Sequence, residues 1–168
     1  MSPSEVIPVA VEVTFLRMDR APEAPARPLP AGCRVDVAAR CTTGFYRYLY
    51  DTVGADYLWW FRRSLPMPQL AAILANPAVT VSVLVRDGEP AGFHEIERRA
   101  DGTANLSYFG LMPHAVGTGL GAAFLRHAVD AAWAEGCQAM TVNTCTADHP
   151  RALPNYLAAG FTTLRRVR

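Results

Sequence analysis

The sequence predicts an α/β domain built on a mixed sheet, and three observations carry that prediction. Val79, Val81, Val83 and Val85 alternate at strand period, and two further strand-like runs follow across turns at Asp87-Gly88 and Asp101-Gly102. Behind this meander, helical and strand periods alternate to the last residues. The 168 residues, 51% hydrophobic and 18% charged, supply core enough for one ordinary domain.

Taken in order, Val9 to Met18 alternates as a first strand. Residues 19–32 hold Pro22, Pro25, Pro28 and Pro30, which forbids a regular element and predicts an extended connector. Arg34 to Ala39 reads as a second strand. The spacing of Phe45, Leu49 and Val53 predicts a helix from Thr43 to Val53, capped by Thr42 or Thr43 and broken at Gly54. A short helix runs from Pro68 to Ala75 and stops before Pro77. The meander then occupies Val79–Val85, Ala91–Arg98 and Ala104–Met112. A glycine-rich loop leads into a helix from Gly119 to Glu135, closed by Gly136, with Leu120, Ala123, Phe124, Ala128 and Ala131 on its buried stripe. Arg126 and Asp130 mark its wet side. Gln138–Thr144 is a strand, Pro150–Ala159 a helix ended by Gly160, and Phe161–Val167 the last strand. Pro154 is expected to cost that last helix one hydrogen bond and bend it before Tyr156.

Composition removes several functions at once. All 16 cationic residues are arginine, so a Schiff-base lysine, a Walker-A lysine and a Ser–Lys dyad are excluded. A net charge of +1 gives no basic excess for non-specific nucleic-acid binding. Met1 to Ala10 has no basic n-region, and the uncharged stretches Ser64–Val85 and Gly102–Leu125 are broken by proline and glycine. Cys33, Cys41, Cys137 and Cys145 show no C-x-x-C spacing, so we expect buried, reduced thiols, no metal site, no membrane contact and a cytoplasmic location.

The chemistry starts at Gly117-Thr-Gly119-Leu-Gly121, between a strand and a helix. Small residues there let backbone N–H groups approach an anion, and the helix N-terminus adds partial positive charge, so a phosphate or pyrophosphate is the natural ligand. The same small residues also serve close helix–sheet packing. Gly117, Gly119 and Ala122 formally satisfy a dinucleotide pattern. Against it, the loop follows an antiparallel meander, Pro113–Val116 intervene, and no acidic residue ends the next strand at Val142-Asn143-Thr144.

The run Leu111-Met-Pro113-His-Ala-Val-Gly117-Thr-Gly119-Leu-Gly121-Ala-Ala-Phe-Leu125 resembles the acetyl-CoA signature of the GNAT N-acetyltransferases, [Q/R]-x-x-G-x-[G/A]. Asp148-His-Pro-Arg-Ala152-Leu-Pro-Asn-Tyr156-Leu-Ala-Ala-Gly160-Phe161 resembles that family's second landmark, N-P-x-A-x-x-x-Y-x-x-x-G-F. The likeness covers residues 79–168, with Val116 standing where the family has Gln or Arg and His149 where it has Asn. It implies a mixed, mostly antiparallel sheet flanked by about four helices, a single domain over 1–168, and an acetyl-CoA-binding core at 79–168.

The resemblance also implies a reaction: an acyl-CoA-dependent N-acyltransferase moving acetyl from acetyl-CoA, its cosubstrate, to a primary amine by direct attack in a ternary complex. Coenzyme-binding residues would be Phe109, Gly110, Leu111, Met112, Val116, Gly117, Thr118, Gly119, Leu120, Gly121, Ala122, His149 and Tyr156. The strand ending Phe109–Met112 would splay from the Gln138–Thr144 strand, and its free N–H groups would hold the pantetheine arm and polarise the thioester carbonyl. Tyr156 aligns with the general acid for the departing thiolate. A phenol of ordinary pKa about 10 stays protonated at neutral pH and can give its proton as the C–S bond breaks. Glu95 is the candidate base, since a carboxylate mid-strand in an apolar run invites a raised pKa; a solvated face of the sheet and an arginine ion pair are the competing explanations. His94, on the opposite strand face, and ordered water are the other candidates.

Half of the 16 aromatic residues fall between Phe45 and Phe61, which predicts an aromatic wall on the acceptor side or anchors for the early helices. Trp59 and Trp60 cannot both point inward, so one faces solvent or ligand. The acceptor is a small-molecule or peptide amine, and a homodimer through an exposed terminal strand is possible. An acyl-CoA-binding regulatory module without turnover and an NAD(P)-dependent oxidoreductase are the alternatives.

Overall fold

A computed structural model describes residues 7–168; the first part of the Met1–Ala10 reading lies outside the described residues. The chain runs β1 (Val13–Met18), β2 (Cys33–Val37), α1 (Thr43–Val53), α2 (Phe61–Ser64), α3 (Met67–Ala75), β3 (Val79–Arg86), β4 (Glu89–Arg98) and β5 (Thr103–Leu111). A 3-10 turn at Pro113–Ala115 precedes α4 (Leu120–Ala134), β6 (Ala139–Cys145), α5 (Ala152–Ala158) and β7 (Thr162–Val167). The seven strands form one sheet in the order β2-β3-β4-β5-β6-β1-β7. Every pairing is antiparallel except β5 with β6.

Local chemistry accounts for most boundaries. The Asp87-Gly88 turn between β3 and β4 has positive φ at both residues, 50° and 87°, as a type I′ hairpin requires. Thr42 caps α1, its hydroxyl accepting the Phe45 N–H at 3.2 Å. The first strand starts at Val13 rather than Val9, where antiparallel pairing with Cys145 begins. The sequence pattern gave two early helices where there are three: α2 is one turn long and too short to show a period. Pro154 lies in the first turn of α5, where an N–H has no intrahelical partner, so the expected loss of a hydrogen bond does not occur. The cysteines are free but half-buried rather than buried.

The sheet buries both faces. One carries α1 and α3 over Val81, Val83, Phe93 and Met112, with Tyr46, Leu49, Tyr50 and Leu70 packed down from the helices. The other carries α4 and α5 over Leu106, Met140 and Val142. Leu120, Ala123, Phe124 and Ala128 form the buried stripe of α4, while Ala131 sits half-buried at its margin. Burial of a ring such as Phe124 contributes about 2–3 kcal/mol. Arg126 pairs with Asp130 and also donates to the carbonyls of Ala24 and Pro25 at 2.7 and 3.2 Å, which straps the proline-rich connector onto α4.

Candidate active site

The sheet comes apart at one place. Parallel pairing of β5 with β6 runs from Thr103–Ala139 to Leu106–Val142 and stops. At that point β5 carries a bulge: Glu95 pairs with Tyr108 and Ile96 with Leu106, leaving Ser107 without a partner on β4. Past the bulge the two strands diverge, and a cleft of about 1010 Å³ opens between Ser107–Leu111 and Asn143–Cys145. Peptide groups of β5 that face away from β4 are thereby left free along its wall. Gly110 lets the opposite wall close in, since a Cβ there would lie 2.3 Å from Val53 Cγ1 and 3.5 Å from the Trp59 ring.

One end of the cleft is the glycine turn. Gly117 and Gly119 have φ of 76° and 82°, and a Cβ on either would meet nothing within 4 Å, so the turn is an open concavity. Among the described residues, the N–H groups of Gly117 to Gly121 donate to no backbone carbonyl. The Thr118 hydroxyl donates back to the Ala115 carbonyl at 2.6 Å, so this side chain fixes the turn and leaves its concave side to the amides. Together with the first turn of α4, these amides suit a diphosphate. Val116 brings no charge, but Arg27, from the connector that Arg126 straps down, and Arg151 both line the cleft.

Tyr156 enters from α5, buried and edge-on to Phe109 and Phe161. Burial, and secondarily the charge of Asp148, raise its pKa above the ordinary phenol value, so it stays protonated. Asp148 is the centre of a small knot: its Oδ2 accepts from the Thr144 hydroxyl at 2.7 Å and the Cys145 N–H at 2.9 Å, and its Oδ1 faces the Trp59 indole N–H at 3.4 Å. His149 lines the cleft beside it and accepts the Arg151 N–H on Nδ1.

Glu95 is placed differently from its expected role. It is fully buried and does not line the cleft. Its Oε2 accepts the Tyr46 hydroxyl and its Oε1 the Arg62 guanidinium at 2.5 Å. Burial works against the charge on Arg62, yet the hydrogen bond and ion pair with Glu95 outweigh it and hold the guanidinium firmly protonated. Arg62 also lies 5.3 Å from the centroid of the Tyr108 ring. His94 is on the opposite sheet face, against Phe124, and lines a separate cavity of about 80 Å³ with His127. Burial first, and then His127, push its pKa down to about 3.

The aromatic residues divide as the sequence requires. Tyr46 and Tyr50 are buried anchors; Trp59 packs on Tyr50 and Tyr108 with ring centroids 5.3 and 5.2 Å away. Trp60 and Phe61 stack on each other at 4.2 Å and are mostly exposed, at 56% and 61%, on the cleft margin.

Of the expected coenzyme residues, Phe109, Gly110 and Leu111 line the cleft from β5, Val116, Gly117, Gly119, Gly121 and Ala122 from the turn and α4, and His149 and Tyr156 from the far side. Met112 and Leu120 are buried in the core, and Thr118 turns away; these three and Glu95 do not line it. Sequence reasoning missed Asp148 and Arg27. The first stood inside a motif as its opening residue without a role, and nothing local connects the second to a loop ninety residues downstream.

The seven-stranded sheet, parted between its parallel strands beside a glycine turn, is a mixed α/β scaffold with its cleft at the parting. The family model described as "Acetyltransferase (GNAT) family" matches residues 44–161, and the chain belongs to that family. No protein of curated function matches the sequence. Among solved structures, a GCN5-related N-acetyltransferase from Sphaerobacter thermophilus is similar at 15% identity and TM-score 0.63, over 93% of this chain and 49% of its own. A tandem GNAT protein from the clavulanic acid biosynthesis pathway is similar at 14% identity and TM-score 0.68, over 92% and 51%. The ribosomal-protein-S18-alanine N-acetyltransferase from Escherichia coli is similar at 17% identity and TM-score 0.64, over 79% of each chain. The chain thus spans about half the length of the first two. Among the described residues no helix is long and apolar enough to cross a membrane.

Proposed function

We propose that the chain is an N-acetyltransferase that binds acetyl-CoA in the β5–β6 cleft and passes the acetyl group directly to a primary amine held beside it. The observation that carries this reading is the coincidence of the Ser107 bulge, the end of β5–β6 pairing and the open glycine turn along one continuous cleft. The residues present fit the coenzyme: unpaired amides from Gly117 to Gly121 suit its diphosphate, and the free edge of β5 suits its amide-bearing arm.

Bound there, acetyl-CoA supplies an acetyl group activated as a thioester. The chain then has three tasks. Backbone N–H groups of β5 beyond Ser107 are fixed donors for the carbonyl oxygen as negative charge develops on it, and fixed donors lose nothing to reorganisation. Tyr156, kept protonated by its burial, gives its proton to the thiolate as the C–S bond breaks. Arg27, held over the cleft by the strapped connector, takes the place of the cation or amide that Val116 lacks. Glu95 serves as a brace: with both oxygens engaged by Tyr46 and Arg62, it locks α1 and α2 against β4 and so sets the aromatic wall.

The test is release of free thiol from acetyl-CoA in the presence of amines, with Tyr156→Phe as the diagnostic variant. We expect kcat to fall at least tenfold with acetyl-CoA affinity within about twofold of the parent. Unchanged turnover in the variant would remove the acid role, and acetyl-CoA bound without turnover by any amine would favour the binding-module alternative.

A further inference from the structure

We infer that Asp148 is the acceptor-binding carboxylate of the cleft, and that the acceptor is a small amine with an aromatic or bulky apolar body, bound as its ammonium ion. The inference rests on the proposed function and names the substrate class for that site.

The charge inventory of the cleft leads there first. Asp148 is the only Asp or Glu on its wall among the described residues, because Glu95 is buried behind it and already paired with Arg62. An ammonium group entering the cleft therefore has one carboxylate to meet. That carboxylate has capacity to spare: Oδ2 takes two good hydrogen bonds, whereas Oδ1 has only the long contact from Trp59. A carboxylate offers about four lone-pair sites in all. Asp148 also lies close enough to Tyr156 to raise its pKa, so the nitrogen would sit near the group that protonates the leaving thiolate.

The surroundings describe the rest of the acceptor. Trp59 bridges the cleft mouth, with its ring 3.5 Å from a Cβ position on Gly110 and its indole nitrogen turned to Asp148. Tyr57, Trp60 and Phe61 continue the wall outward, and the latter two are exposed although nothing in the fold needs them at the surface. Ring faces next to a single anionic pole favour an organic cation over either a neutral or an anionic molecule. Arg62, which lies over Tyr108 beside this wall, is committed to Glu95, and Arg27 and Arg151, the two arginines that line the cleft, are the cations available to the coenzyme's diphosphate.

The proton ledger closes with these groups. The ammonium nitrogen, held beside Asp148, gives one proton to water and becomes a free amine. Its lone pair forms the C–N bond to the thioester carbonyl carbon, and the C–S bond breaks. The thiolate takes a proton from Tyr156, which regains one from the acylated nitrogen. The products are the amide, the free thiol and one proton.

The experiment measures turnover of 2-phenylethylamine, spermidine and phenylalanine by the full chain, with calorimetric acetyl-CoA affinity as an independent readout. Asp148→Asn is the main variant, because asparagine keeps an acceptor oxygen for Thr144 and Cys145 and so preserves the knot. Trp60→Ala is the second, at an exposed position where the fold is indifferent. We expect 2-phenylethylamine to exceed both other acceptors at least tenfold in kcat/KM. Asp148→Asn should lower that value about a hundredfold while acetyl-CoA affinity stays within twofold, and Trp60→Ala should raise the amine KM several-fold. Preference for spermidine or phenylalanine, no turnover of any of the three by protein that binds acetyl-CoA, or unaltered kinetics in both variants would overturn the inference. Protein that binds no acetyl-CoA would instead defeat the proposed function, and with it the inference.

Discussion

Replacing Glu95 with glutamine separates a brace from a base. The carboxylate is fully buried and joined to Tyr46 and to an Arg62 side chain that is only 19% exposed, so solvent screens the pair little. Removing one partner of a buried ion pair generally costs 3–5 kcal/mol, because the other charge is left without compensation. Glutamine keeps one acceptor oxygen for Arg62 or Tyr46, which trims the expected cost to about 3 kcal/mol. For a chain of this size that is a fall in Tm of roughly 6–12 °C. Tyr46→Phe removes a single bond and should cost about 1–2 kcal/mol. Because the two residues share one network, the double variant should be less destabilised than the sum of the singles. Calorimetric melting supplies the stabilities, and thiol release well below the melting range supplies the activity of the folded fraction. The brace predicts a large loss of Tm with kcat retained within tenfold. A Glu95→Gln protein that melts within 2 °C of the parent and has lost more than a hundredfold in kcat would refute it and restore Glu95 as the base.

Gly110→Ala should push Val53 and crowd Trp59, costing about 1–3 kcal/mol by overpacking and raising the amine KM; differential melting and steady-state kinetics read the two effects. Arg27→Ala should weaken acetyl-CoA binding about three- to tenfold at low ionic strength and less in high salt, as expected for an exposed charge contact. Arg126→Ala, which frees the carbonyls of Ala24 and Pro25, should reproduce that loss without adding to it in the double variant. Acid should unfold the chain partly through His94. Its folded pKa lies near 3, below the unfolded value of about 6.5, so the unfolded state takes up the extra proton and stability is lost as pH falls from about 6.5 toward 3. The loss at pH 4.5 is about 2–3 kcal/mol, and His94→Leu should flatten the melting temperature over that window.

The fold was legible where local chemistry is decisive. The Asp87-Gly88 turn, the valine alternation of β3, the Thr42 cap and Gly136 after α4 each specify their element without help from distant residues. The glycine turn was legible as a run of small residues before α4, with an anion site and close helix–sheet packing both open from composition. What stayed hidden was non-local. The Ser107 bulge is a relation between β4 and β5, and no residue in either strand announces it. Glu95 stood out correctly as an anomaly in an apolar strand, but its partners come from α1 and α2, and only packing chooses between ion pair and base. The proline-rich connector read as a spacer; its link to α4 through Arg126 spans about a hundred residues. Asp148 closes a turn and faces the cleft at once, and the first task leaves the same sequence mark as the second.

The proposed function stands or falls on whether the parted strands and the glycine turn hold a coenzyme. Calorimetric titration of acetyl-CoA into the purified chain addresses it most directly. One saturable site per chain is expected, with a Kd in the micromolar range, weakened by competing free CoA and unaffected by NADH. Absence of heat at millimolar acetyl-CoA, with no rise in Tm on adding the coenzyme, would contradict it.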